Sequence, residues 1–471
     1  MNWMLALPEL VLALCGLAIL LVGVMQRRNA FVSCTLLTII AMIVTGFLVA
    51  TGPIGSGYEG LFVVDAFGGF MKLLILAGSM LSLILSLDYN KGAKIDRFEF
   101  PLLILFCTVG MLVMASAANM MTLYVGLELQ SLAIYVLAAF ARDTQRSAEA
   151  GLKYFVLGAL ASGLLLYGIS LVYGFTGTME FSRLATALTG TPSVGLVVGI
   201  VFVIAGLAFK LSAAPFHMWT PDVYEGAPTS VTTFMATAPK VAAIALLLRA
   251  LITPFGHLLE SWQQIIILIS IVSMVWGALA AIGQTSIKRL MAYSSIGHMG
   301  YALIGLAAGT TAGIRGVMIY MVTYVFMSAG TFACIIAMRR GQRPLERIAD
   351  LTGLGRTDPL LAMAFTIFMF SMAGIPPLSG FFGKLLVFLA AVQAGLWTLA
   401  VIGVLTSVIG AFYYLRVIKV IYFDAGGEAL DRRTSALSIV AFASAAFTLL
   451  FALFSAPLLD AAQSASRSLL G

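Results

Sequence analysis

The chain has 471 residues, 61% of them hydrophobic and only 10% charged, with a net charge of +7. A water-soluble chain carries about 25% charged residues, so this composition excludes a soluble enzyme and any soluble domain of size. The basic excess is read as a membrane-topology signal and not as nucleic-acid binding.

Apolar runs of about 20 residues, long enough to cross ~30 Å of hydrocarbon, recur along the whole chain. They fall at 4–25, 31–50, 61–87, 100–118, 119–141, 148–175, 193–218, 227–249, 262–283, 288–308, 313–337, 358–392, 397–421 and 436–458. The expected fold is an all-α polytopic membrane protein of about fourteen transmembrane helices. Arg27 and Arg28 follow the first run instead of preceding it, so this run is not a cleavable signal and is expected to cross from outside to inside. With both termini outside, eighteen basic residues fall in inner loops and only Arg183, Arg249, Arg315 and Arg467 fall outside. That asymmetry supports the span count. The segment Gly55–Gly60 matches GxGxxG but lies between two spans, not between a strand and a helix, so the match is discarded. The four cysteines, Cys15, Cys34, Cys107 and Cys334, are scattered. They suggest neither a metal nor an iron–sulfur site.

The layout divides the chain into residues 1–99 with three spans, a five-helix unit at 100–250, a second at 262–421 and a last span at 436–458. Five is odd, so a directly repeated five-helix unit faces the membrane the opposite way. Two inverted repeats with broken helices are therefore expected. Pro215 breaks a span in the first unit and Pro376-Pro377 breaks one in the second. Pro239 is a further break, immediately before Lys240.

Five basic residues remain inside spans: Lys72, Lys153, Lys210, Lys240 and Lys384. A charge at the centre of a spanning helix costs roughly 3 kcal/mol on insertion scales, so each calls for a partner or a function. Glu128 shares one helix face with Tyr124, Ser131 and Tyr135 and is the expected counter-ion of Lys210. Lys240 has no acidic partner in its own or neighbouring spans, which suits a proton carrier. His298 shares a face with Ser294 and Tyr301, and a neutral imidazole can both donate and accept. The next span carries a stripe of Tyr320, Tyr324, Ser328 and Thr331, suited either to ordering water or to ordinary helix contacts. Lys384 opens the second half of a helix broken at Pro376-Pro377. Lys153 follows Glu149 by four and reads as a simple ion pair, and Lys72 lies outside both repeats. His217, Asp222 and Glu225 are placed in a loop after the first break, to gate or to seal. The row Glu128, Lys210, Lys240, His298 and Lys384 is suited to lateral proton transfer.

The stretches GLELQSL (126–132), FKLSAAPFHMWTPDVYEGAPT (209–229), ATAPK (236–240), KRLMAYSSIGHMGY (288–301) and GIPPLSGFFGK (374–384) give the chain a family resemblance. It resembles the antiporter-like membrane subunits of respiratory NADH:quinone oxidoreductase (complex I). Among them it is most similar to subunit N of the bacterial enzymes, whose mitochondrial counterpart is subunit 2. The resemblance implies a proton-translocating subunit with no redox cofactor of its own; NADH, FMN, iron–sulfur clusters and quinone are expected in partner subunits. It implies that Glu128 and Lys210 form a pair, that Lys240 is a central relay and that Lys384 is the ionisable residue of the second broken helix. The implied partners are subunits M, K and J, the lateral helix of subunit L, and membrane lipids. The implied location is the bacterial inner membrane. The alternative is a subunit of a multisubunit cation/proton antiporter or of an energy-converting hydrogenase.

Overall fold

The computed structural model describes residues 3–26, 29–187, 192–341 and 343–470. Arg27 and Arg28, the basic residues of the first expected inner loop, lie outside the described residues.

Three helices open the chain: α1 (Leu7–Met25), α2 (Ala30–Thr51) and α3 (Ala66–Gly92). The Asp65 carboxylate caps α3 by accepting from the Gly68 N–H at 2.7 Å, which satisfies an otherwise orphan donor. Residues 62–64, expected inside a span that begins at 61, instead form β2 (Phe62–Val64), paired antiparallel with β1 (Gly55–Gly57). The discarded glycine motif is therefore a strand and turn, with Gly60 at φ +82°.

The first five-span stretch holds α4 (Glu99–Ala115), α5 (Met120–Ala138), α6 (Gln145–Thr176), the short α7 (Phe181–Ala187), α8 (Val194–Leu211), α9 (Trp219–Gly226), α10 (Thr229–Met235) and α11 (Ala238–Phe255). The second holds α12 (Leu259–Ile282), α13 (Ile287–Ala307), α14 (Thr311–Ala337), α15 (Leu354–Thr357), α16 (Pro359–Ala373), α17 (Ser379–Gln393) and α18 (Trp397–Phe423). A two-residue hairpin, β3 (Arg339–Arg340) with β4 (Arg343–Pro344), follows α14. The chain ends with α19 (Ser435–Phe454) and α20 (Ala456–Leu470).

Among the described residues, ten helical segments are long and apolar enough to cross a membrane. One of them, Thr229–Ile282, contains α10, α11 and α12. Adding the shorter α4, the polar-striped α13 and the halves α16 and α17 taken together accounts for all fourteen expected spans. Three spans are broken. The first ends at Leu211, where Ser212 adopts φ +64° before Pro215. The second stops at Met235 and restarts at Ala238, with Pro239 in the first turn. The third ends at Ala373, where Gly374 adopts φ +90° before Pro376-Pro377. A left-handed C-cap followed by proline is a general helix stop. α11 and α14 are buried along nearly their whole length, so the breaks and the polar residues near them sit in the protein interior.

Candidate functional site

The centre of the molecule holds a row of amines, hydroxyls and aromatic rings. At one end is Glu128 on α5, half-buried, accepting from Ser162 Oγ on α6. Tyr135 lies two turns along α5 and receives a 2.8 Å hydrogen bond from Lys210 Nζ. Among the described residues Glu128 and Lys210 do not form an ion pair. Glu128 is held by Ser162 and Lys210 by the Tyr135 phenol, so the expected pair is not in direct contact. Ser131, on the same face, is bonded to its own helix through Leu127 O at 2.5 Å, and Tyr124 is half-buried one turn before Glu128.

Lys210 also faces the rings of Tyr135 and Tyr154, at 4.8 and 5.6 Å. Tyr154 stacks on Trp219 at 4.1 Å, and Trp219 in turn lies 5.4 Å from Lys240 Nζ. A ladder of aromatic faces, each able to attract a cation, thus separates the two lysines.

Lys240 is 1% exposed. Its amine donates to Leu211 O at 3.0 Å and to Ser212 Oγ. These are the last carbonyl and the capping hydroxyl of α8. Lys384 behaves alike, donating to Met372 O at 3.0 Å, Ala373 O at 3.1 Å and Ser407 Oγ at 2.8 Å, at the end of α16. A helix C-terminus carries partial negative charge and unpaired carbonyls. It holds each ammonium without a carboxylate, which explains why neither lysine has an acidic partner among the described residues. The breaks therefore build the cation sites.

Between these lysines, His298 bonds Tyr320 Oη through Nδ1 at 2.6 Å and Tyr414 Oη through Nε2 at 3.1 Å. Ser294 meets Tyr414 Oη at 2.5 Å, Ser295 meets Tyr324 Oη at 2.8 Å, and Tyr301 donates to Thr406 at 3.3 Å. His298, Tyr301, Tyr414 and Lys384 line a cavity of about 10 Å3, room for roughly one water. Thr331 donates within its own helix, to Met327 O.

Residues 117–410 match the transmembrane family described as NADH:quinone oxidoreductase/Mrp antiporter. A Granulibacter bethesdensis protein named NADH-quinone oxidoreductase subunit N is 69% identical over 478 residues, covering all of both chains. Its namesake from Gluconacetobacter diazotrophicus is 59% identical, again over all of both chains. The chain belongs to the NADH-quinone oxidoreductase subunit N family. A chain of the respiratory complex I from Thermus thermophilus superposes with a TM-score of 0.84 at 33% identity, covering 97% of this chain and 99% of that one.

Several contributors were missed in the sequence of this subunit N family member. Ser162, Ser212, Ser407 and Tyr414 reach the row as single hydroxyls in apolar spans, and single hydroxyls carry no periodic signal. Lys288 was placed in an inner loop but is 1% exposed. It donates to Glu225 O and Ala227 O at the end of α9, and to Glu346 at 3.1 Å, so it is a third lysine at a helix C-terminus. Asp222 and Glu225, expected in a loop, lie on α9. Asp222 pairs with Arg289 at 2.7 Å and Lys153 at 2.9 Å, and Glu225 pairs with Arg289 at 3.1 Å. Lys153 also keeps its expected partner Glu149, at 2.7 Å. His217 packs edge-on to Trp276. Among the described residues, no group of three His, Cys, Asp or Glu is placed to hold a metal ion.

Proposed function

We propose that this membrane subunit of NADH:quinone oxidoreductase carries protons along the row Glu128, Lys210, Lys240, His298 and Lys384, driven by quinone reduction in neighbouring subunits. The observation that carries the reading is that Lys240 and Lys384 are each held at a helix break by carbonyls and one hydroxyl. Such neutral partners hold an ammonium yet let it give up its proton without leaving a buried carboxylate unpaired. Glu128 and Tyr135 share one face of α5, and Tyr135 accepts from Lys210, so a shift of charge at Glu128 acts on the site that holds Lys210. His298 with its two tyrosines relays between Lys240 and Lys384. Moving one charge across the membrane takes about 2.3 kcal/mol per 100 mV.

The units 100–250 and 262–421 act as two inverted half-pathways, with residues 1–99 and the 436–458 span flanking them. The chain lies in the bacterial inner membrane with both termini on the outer side. It docks on subunits M, K and J and on the lateral helix of subunit L, which together with the redox subunits hold NADH, FMN, iron–sulfur clusters and quinone. The test is proton pumping in vesicles, normalised to NADH oxidation, for Lys210→Ala, Lys240→Ala and Lys384→Ala. Each variant is expected to assemble and to pump fewer protons per NADH. Full pumping by an assembled Lys210→Ala complex would refute the reading. Co-purification with NADH-oxidising activity separates this role from that of a free-standing antiporter subunit.

A further inference from the structure

A buried ion pair lies outside the family-matched residues and outside the row. Lys72 on α3 and Glu9 on α1 meet at 2.5 Å with side chains 2% and 6% exposed. Apart from Lys72, the Glu9 carboxylate has no polar partner among the described residues, and Phe62 covers the ammonium at 5.1 Å. A buried ion pair is weak as a stabiliser, because desolvation offsets the attraction. Ionisable groups inside a membrane protein mark proton and ion pathways.

Two further observations give the pair a direction. Lys72 lines a cavity of about 20 Å3 with Leu5, Pro8, Leu48, Gly52 and Val64, enough for a water and placed at the face where the chain begins. On the opposite side, α3 carries Ser79, Ser82 and Ser86 on the same face as Lys72, at helical spacing. All three are fully buried. Thr108 donates to Ser79 at 3.0 Å, and Ser82 lies 3.1 Å from Thr237. Thr237 immediately precedes α11, three residues before Lys240. The seven residues from Lys72 to Ser79 span about 10 Å of helix.

We infer that Glu9 and Lys72 form a proton-release site, reached from Lys240 along the hydroxyl stripe of α3 and opening to the face that holds the N-terminus. The Lys72 ammonium, which lines the cavity, releases its proton to water there, with the Glu9 carboxylate beside it. The neutral amine left behind takes the next proton from the Ser79 side, which restores the pair. This branch rests on the lateral row proposed above.

The experiment is proton pumping per NADH by the assembled complex in vesicles, with Glu9→Gln/Lys72→Met, Lys72→Arg and Lys210→Ala side by side. Arginine keeps the ion pair but does not deprotonate in proteins, so a static clamp tolerates it and a relay does not. Lys72→Arg is expected to assemble with normal NADH oxidation and a lower proton-to-NADH ratio, as is the double variant. A full ratio in Lys72→Arg, with Lys210→Ala still impaired, overturns the branch and leaves the row standing. Normal pumping in Lys210→Ala removes both. Failure of both Lys72 variants to assemble assigns the pair to folding and equally overturns the branch.

Discussion

Ser212 holds φ +64°, a left-handed conformation that costs a residue with a side chain about 1–2 kcal/mol relative to glycine. Its hydroxyl receives a hydrogen bond from Lys240, which gives a reason for a serine where glycine fits the backbone better. Two substitutions separate the effects. Ser212→Gly and Ser212→Ala both delete the hydroxyl, but only alanine keeps the backbone cost. The pair is therefore expected to show equally reduced pumping per NADH while differing in thermal stability by about 1 kcal/mol, alanine being the weaker. Unequal pumping with equal stability would remove the hydroxyl from the Lys240 site. Lys240 itself was legible in the sequence, since a lysine in an apolar run stands out. Its partners were not, because a backbone carbonyl has no residue identity and Leu211 O becomes available only once α8 stops.

The broken helix is the element that turns ordinary backbone into a cation site. The prolines were readable, and so were the three interrupted spans. The stopping points were less so: α8 ends four residues before Pro215, and the 227–249 span splits into α10 and α11, which moves Lys240 from mid-span to a first turn. Gly374 supplies the other stop. Its φ is +90°, and a Cβ there would lie 3.1 Å from Lys384 Cδ and 3.3 Å from Lys384 Nζ. Gly374→Ala therefore strains the cap by about 1–2 kcal/mol and presses on the side chain that the cap holds. The expected outcome is a lower melting temperature together with reduced proton pumping. A variant that melts normally and pumps normally would show that the α16 stop does not depend on this glycine. Legibility of the fold was high here because helix length, proline and charge are each local signals. Legibility of the site was lower because α5, α6, α8 and α11 meet only through tertiary packing.

At the scale of the whole molecule, the first helices and the last are tied together at one face. α20 was not foreseen, since the tail after 458 is too polar to read as a span and too short for a second period to register. It packs Ala462, Ala465, Ser466 and Leu469 inward. Its Ser468 Oγ accepts from the Phe67 N–H at 3.0 Å, in the first turn of α3, and its Gln463 accepts from Arg315 at the start of α14 at 2.7 Å. α3 carries both Lys72 and the serine stripe, and α14 carries Tyr320 and Tyr324 beside His298, so α20 ties these two helices to one another. Burying a leucine side chain contributes about 1.5–3 kcal/mol, and one neutral hydrogen bond contributes about 1 kcal/mol net. Ser468→Ala is thus expected to lower stability by roughly 1 kcal/mol, and removal of residues 456–471 by roughly 3–5 kcal/mol. Thermal unfolding of the purified complex, followed on this chain, measures both. If the strap only stabilises, Ser468→Ala pumps normally below its melting temperature. A lower proton-to-NADH ratio at full assembly would instead show that the register of α3 against α14 is itself part of the pathway.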